Sequence, residues 1–196
     1  MNKIIVASNN QGKIKEFNQI LNSRFDLISM SELNIQELPE TGLTFVENAI
    51  IKARNASEQS GLPAIADDSG LVVDALNGEP GIYSARYSDS KDDISNTEKV
   101  LHKMRNIPHD KRTARFWCAI VFMRHYLDPN PIIIQKGWEG LITYEPKGKN
   151  GFGYDPIFYV PTHSQVSAEL DPVEKNKISH RGQALKALIQ ELALPS

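Results

Sequence analysis

The segment "RFWCAIVFM", residues 115–123, is apolar on both faces when alternate side chains are assigned to opposite sides of a strand. Such a strand needs cover above and below, so it reads as a central, buried strand of a sheet. Around it, short runs rich in Ile and Val alternate with stretches of helical period, the pattern of an α/β domain. "KIIVA" reads as the first strand, and Ile14, Phe17, Ile20 and Leu21 predict a helix from about Gly12 to Asn22. "FDLIS" reads as a second strand. Thr44 and Glu47 are spaced as a capping box before a helix that carries Phe45, Ala49, Ala53 and Ala56 and ends near Gly61.

Further on, "AIA" before Asp67 and "LVV" after Gly70 read as two strands joined through an acidic corner, with Gly70 allowing a sharp turn. "SNTEKVLHKM" looks like a capped helix, and "IIIQKGW" and "GLIT" like separate strands. The glycine-rich loop "PKGKNGFGYDPIF" precedes a last helix that starts near Ser179, with Ala184, Leu185, Leu188 and Leu192 facing inward. A chain of 196 residues with 40% hydrophobic content can build one substantial core, so residues 1–196 read as a single domain.

Charge narrows the function classes. With 22 basic against 24 acidic residues and no long basic stretch, a DNA or RNA polymer is not the expected partner. Cys118 is the single cysteine, so no internal disulfide forms; its apolar surroundings predict a buried, inert thiol and suit a reducing compartment. The apolar run of residues 4–7 is too short for a signal-peptide core or a membrane span, and a soluble, cytoplasmic protein is expected.

The chemistry begins at "SNNQGK", where Ser8, Asn9, Asn10, Gln11, Gly12 and Lys13 surround a predicted helix N-terminus. Free backbone N–H groups and the helix dipole favour a phosphate there, and Lys13 adds a compact charge. The segment is not a P-loop: the first glycine of that motif is missing and Ile14 stands at its Ser/Thr position. Asp67 and Asp68, with Glu40, form a plausible magnesium set, because that ion is usually held by one or two carboxylates together with substrate phosphates. Adjacent residues of a strand point to opposite faces, so the two aspartates are expected to do different jobs. In "NGFGYDP", Gly151 and Gly153 permit close backbone approach while Phe152 and Tyr154 offer ring faces to a base. In "KNKISHRGQAL", Lys175, His180 and Arg181 gather hydrogen-bond donors just before and inside the last helix, where cations oppose the dipole and hint at an external partner.

The segments "SNNQGK", "FVENAIIKA", "AIADDSGLVVDALNGEPGIYSARYS", "GFGYDPIF" and "SHRGQAL", in this order, closely resemble the inosine triphosphate pyrophosphatase family, also called the Ham1 or RdgB family. The likeness runs from the first strand to the last helix, and the long middle segment is its most specific part. The resemblance implies an elongated α/β fold with a long mixed β-sheet flanked by helices, a single domain with two lobes, and a homodimer. It also implies magnesium dependence and hydrolysis of ITP, dITP or XTP to the monophosphate and pyrophosphate. Carried over by residue, it puts the triphosphate on Ser8, Asn9, Asn10, Gln11, Gly12 and Lys13, with general-base and metal roles on Asp68. Glu40 would be a further metal contact and Ser69 a substrate contact. Phe152, Gly153, Tyr154, Asp155, Lys175, His180 and Arg181 would take the base and sugar, the cationic donors meeting the carbonyl at C6 of the purine. Ser8 and Asn9 stand where many relatives have Thr-Gly, which keeps the hydroxyl and removes a glycine.

Overall fold

A computed structural model describes residues 2–193. In chain order the elements are β1 (Asn2–Val6), α1 (Gln11–Leu21), β2 (Phe25–Ser29), α2 (Phe45–Ser60) and β3 (Ala64–Val73). They continue with α3 (Asp93–Met104), β4 (Thr113–Met123), β5 (Ile132–Ile142), β6 (Phe158–Val160), β7 (Gln165–Val166), α4 (Pro172–Ile178) and α5 (His180–Ala193). The strands form one mixed, seven-stranded sheet in the order β2-β1-β3-β4-β5-β6-β7. β1 is parallel to both β2 and β3, whereas β6 is antiparallel to β5 and β7. The doubly apolar run does become β4, fourth of the seven.

Local signals act as expected in the helices. The Asn10 side chain accepts from Lys13 N–H to cap α1, and Thr44 caps α2 by accepting from Glu47 N–H. Gly61 closes α2 in the left-handed region at φ 68°, which a glycine enters without steric cost. α3 is capped by Asp92, whose carboxylate accepts from Ser95 N–H.

The chain divides into two compact units. The first holds residues 1–68, 118–136 and 181–196, and its described part has a core on each face of its strands. On one face α1 and α5 bring Phe17, Leu21, Ala184, Leu185 and Leu188 against Ile65, Cys118 and Ile120. On the other, α2 packs Ala49, Ala53 and Ala56 against Ala64, Ala66 and Ala119. Small residues on that helix let its backbone lie close to the sheet. The second unit, residues 69–117 and 137–180, is built round Phe116, Trp138, Tyr154, Ile157 and Phe158.

Two expectations are corrected. The acidic corner is no corner: Asp67, Asp68, Ser69 and Gly70 lie within one extended strand, β3. Gly70 does not adopt a left-handed conformation. It is needed because a Cβ there would run into Ser84 Oγ and the Gly81 carbonyl, the pair that also ties the strand through Leu71 N–H to Ser84 Oγ at 2.9 Å. Gly70→Ala is therefore expected to destabilise the fold by about 1–3 kcal/mol through overpacking; a urea midpoint equal to that of the native chain would refute this. "IIIQKGW" and "GLIT" likewise join as β5, where Gly140 leaves room for Phe158 and the Tyr159 carbonyl. Lys175 lies just before the last helix, as expected, in the short α4, which Asp171 caps by accepting from Val173 and Glu174 N–H.

Candidate active site

The connections of the first unit create its site. α1 joins β1 to β2 on one face of the sheet and α2 joins β2 to β3 on the other, so the order β2-β1-β3 puts a topological switch at the carboxyl end of β1. Val6, the last residue of β1, is in register with Ile65, and Ala7 N–H donates to the Ile65 carbonyl at 2.8 Å. β3 thus outruns β1, and Asp67 and Asp68 come level with the loop that starts at Ser8. In that loop Ser8 Oγ accepts from Asn10 N–H at 3.2 Å, and Asn9 Nδ2 donates to Glu37 Oε1 at 2.9 Å. Gln11 and Gly12 open α1, where backbone N–H groups have no intrahelical acceptor.

The two aspartates do point to opposite faces, and their surroundings differ in kind. Asp67 is fully buried on the side of α1 and α5. Its carboxylate pairs with Lys13 Nζ, accepts from Arg181 Nε at 3.2 Å and accepts a hydrogen bond from the Cys118 thiol at 2.9 Å. Arg181 in turn pairs with Glu16 through Nη1. Burial alone would raise the Asp67 pKa, but the charges of Arg181 and Lys13 outweigh it and hold the carboxyl well below the usual range. Burial beside the same carboxylate pushes the Cys118 thiol well up, so it stays protonated and inert, as its surroundings suggested.

Asp68 faces α2. Lys52 Nζ lies 2.7 Å from its Oδ1 and 3.0 Å from Glu40 Oε1, so both carboxylates converge on one ammonium. Asn48 Nδ2 reaches Asp68 Oδ2 at 3.4 Å, while Asn48 Oδ1 accepts from Gly42 N–H at 2.8 Å. Burial raises the Asp68 pKa, and the attraction of Lys52 and Lys13 only partly offsets it. Lys52 is shifted upward: burial lowers its pKa, but Asp68 and Glu40 more than compensate. Glu40 and Lys52 line a cavity of about 270 Å³ with Ala7 and Glu37. That is room for an ion and several waters at roughly 30 Å³ each.

In the second unit Asp155 organises the glycine-rich loop. Its carboxylate accepts from Phe152 N–H at 2.9 Å, Ser167 Oγ at 2.7 Å and Lys175 Nζ at 2.6 Å. Gly151, at φ 79°, leaves the space this carboxylate fills. Lys175 Nζ stands 5.0 Å from the centre of the half-buried Phe152 ring, and Gly153 N–H donates to Asp93 at 2.7 Å. The His180 ring stacks on Phe116 at 4.9 Å. Ser69 is half-buried at the start of this unit.

One expected role changes. Tyr154 offers no open ring face, because it is buried in the core with its hydroxyl donating to the Ser84 carbonyl at 2.8 Å. Arg181 belongs to the first unit, where its guanidinium meets Asp67 and Glu16. Lys52, Asn48 and Glu16 are the residues that sequence reasoning passed over. A weak signal existed for Asn48 and Lys52: they sit one turn apart within the alanine-rich stretch of α2. Among the described residues no three His, Cys, Asp or Glu side chains gather as a metal cluster, and no helix is long and apolar enough to cross a membrane.

The model of the Ham1 family matches residues 4–191. The chain is 54% identical over 195 residues to a dITP/XTP pyrophosphatase of Vibrio parahaemolyticus, covering 98% of each, and 53% identical over 194 residues to that of Salmonella typhimurium, again over 98% of each. Among solved structures, a HAM1 protein from Coxiella burnetii is similar with a TM-score of 0.91 at 50% identity over 98% of both chains. The Ham1 protein of Staphylococcus aureus gives 0.86 at 44% identity over 97% of this chain and 98% of that one.

Proposed function

The chain belongs to the Ham1 family, and from that premise we propose that it hydrolyses the non-standard purine nucleoside triphosphates dITP, ITP and XTP to the nucleoside monophosphate and pyrophosphate. It is an enzyme of the hydrolase class, like the dITP/XTP pyrophosphatases it matches. The observation that carries the mechanism is the contrast between neighbouring carboxylates: Asp67 is buried against Lys13 and Arg181, whereas Asp68 converges with Glu40 on Lys52, its pKa raised by burial.

In this reading the triphosphate lies against Ser8, Asn9, Asn10 and the first turn of α1 at Gln11 and Gly12, where N–H groups and the dipole meet negative charge. Lys13 adds its ammonium, and Asp67 fixes that ammonium from behind. Asp68 accepts a proton from the attacking water as the phosphorus–oxygen bond forms; the bond to the departing pyrophosphate then breaks and its oxygen carries away the electron pair. Asp68 and Glu40 fit a magnesium ion in one respect that the geometry supports: their oxygens already converge on a positive charge. Two carboxylates also match that ion's habit of completing its shell with phosphates and water. When bound there, magnesium supplies neutralisation of charge on the phosphate oxygens. Ser69 is assigned a substrate contact, and the base and sugar are assigned to Phe152, Gly153, Asp155, Lys175 and His180. A 6-oxo group accepts hydrogen bonds where adenine presents an amino group, so a set of donors favours the former. A cytoplasmic homodimer is part of the same proposal.

The test is a pyrophosphate-release assay with dITP, XTP, ITP, ATP, GTP and pyrimidine triphosphates, with magnesium and with chelator. Release from the three 6-oxo substrates at a kcat/KM about 10² or more above that for ATP, stopped by chelation, is expected. Equal turnover of ATP, or no release from dITP at any magnesium concentration, would overturn the reading.

A further inference from the structure

We propose that Lys52 is a placeholder cation, its ammonium occupying the point on which Asp68 and Glu40 converge, so that in the nucleotide-free protein a divalent ion is kept out until a triphosphate brings one. The inference rests on Asp68 and Glu40 being the metal-holding pair of the reading above.

The geometry favours a cation between these groups. Carboxylates that share one point repel each other unless a positive charge separates them, and here that charge comes from the chain, with Nζ at 2.7 Å from Asp68 and 3.0 Å from Glu40. A lysine suits the role better than an arginine. Its charge is a compact point on a flexible four-carbon stem, able to withdraw without moving the helix, whereas a guanidinium would lock both carboxylates in a planar fork. The helix itself is anchored by Ala49, Ala53 and Ala56 in the core. One turn before Lys52, Asn48 independently joins Asp68 to Gly42 on the loop that carries Glu40. The loop therefore keeps a tie to β3 when the ammonium leaves. Gly42 is confined to glycine at this contact, since a Cβ would meet Asn48 Oδ1 and Glu47 Cβ at 2.7 and 2.6 Å. The adjoining cavity of about 270 Å³ gives the displaced ammonium and the entering ion room. A triphosphate carries both the ion and the new anionic partner that the ammonium needs, whereas a bare divalent ion brings only the first.

Manganese is the probe, its free concentration read from the electron paramagnetic resonance signal during titration of the full chain without nucleotide. Lys52→Met is expected to bind manganese at least about tenfold more tightly than the native protein, equivalent to roughly 1.4 kcal/mol. The gain should vanish in Lys52→Met combined with Glu40→Gln. Lys52→Gln provides a second neutral side chain should the methionine variant fail to fold, as judged by circular dichroism. Equal manganese affinity in the native and Lys52-substituted proteins overturns the proposal, as does a gain that survives loss of Glu40. No nucleotide is consumed in this titration, so its failure is distinct from failure to release pyrophosphate from dITP.

Discussion

Asp68→Asn is expected to lower kcat for dITP by a factor on the order of 10³ while leaving the fold intact. The amide cannot take the proton of the attacking water, and general-base assistance is typically worth about 10²–10⁴. Stability should hold because burial already disfavours the charged form of Asp68 and Glu40 still pairs with the Lys52 ammonium at 3.0 Å. Its folded pKa lies above its unfolded one, so the contribution it makes to stability is fully present below the unfolded value and is lost as pH rises through the folded value. A neutral isostere removes that loss and should be as stable as the native chain near neutrality. The same upward shift predicts the acid limb of the native kcat/KM profile: activity falls as pH drops through a value above the ordinary 3.8 of an aspartate. Steady-state kinetics from pH 4 to 8 and a urea melt measure both. Retention of most of the native kcat would remove Asp68 from the role of base.

Arg181→Met is expected to act on stability first, at about 3–5 kcal/mol, since it leaves Asp67 and Glu16 as buried carboxylates without their shared guanidinium. Lys13 and the Cys118 thiol still reach Asp67. Arg181→Lys should recover only part of the loss, because one ammonium cannot span two carboxylates as the fork of guanidinium N–H groups does. The pH dependence follows from Asp67, whose folded pKa is depressed. Its stabilising contribution is present above the unfolded value, near 3.9 for an aspartate, and is lost as pH falls through the folded value. Without Arg181 that folded pKa rises, so acid unfolding should begin at higher pH. Urea unfolding of the native, Met and Lys chains at several pH values checks this. A loss below about 1 kcal/mol in the Met variant would mean that the network does not hold the first unit together.

What could be read from the sequence was what neighbours in the chain decide among themselves. Asn10 and Thr44 cap helices by reaching residues three positions on, and the doubly apolar run at residues 115–123 has one good solution, a central strand. The division of labour between Asp67 and Asp68 was legible for the same reason, since the alternation of a strand is local geometry. The continuity of β3 was not legible, because Gly70 answers to Ser84 and Gly81, residues that only the folded chain brings against it. Nor was the place of Arg181. Its neighbours Lys175 and His180 suggested one cluster of donors, yet its partners stand 114 and 165 positions away, on β3 and α1. Periodicity says which face of a helix is turned inward, but which anion waits there depends on strand order and register, and these are set by packing across the whole chain. The pairing of Lys52 with Asp68 and Glu40 is of the same kind: only the seating of α2 against the sheet, through its alanines, brings that ammonium between the two carboxylates.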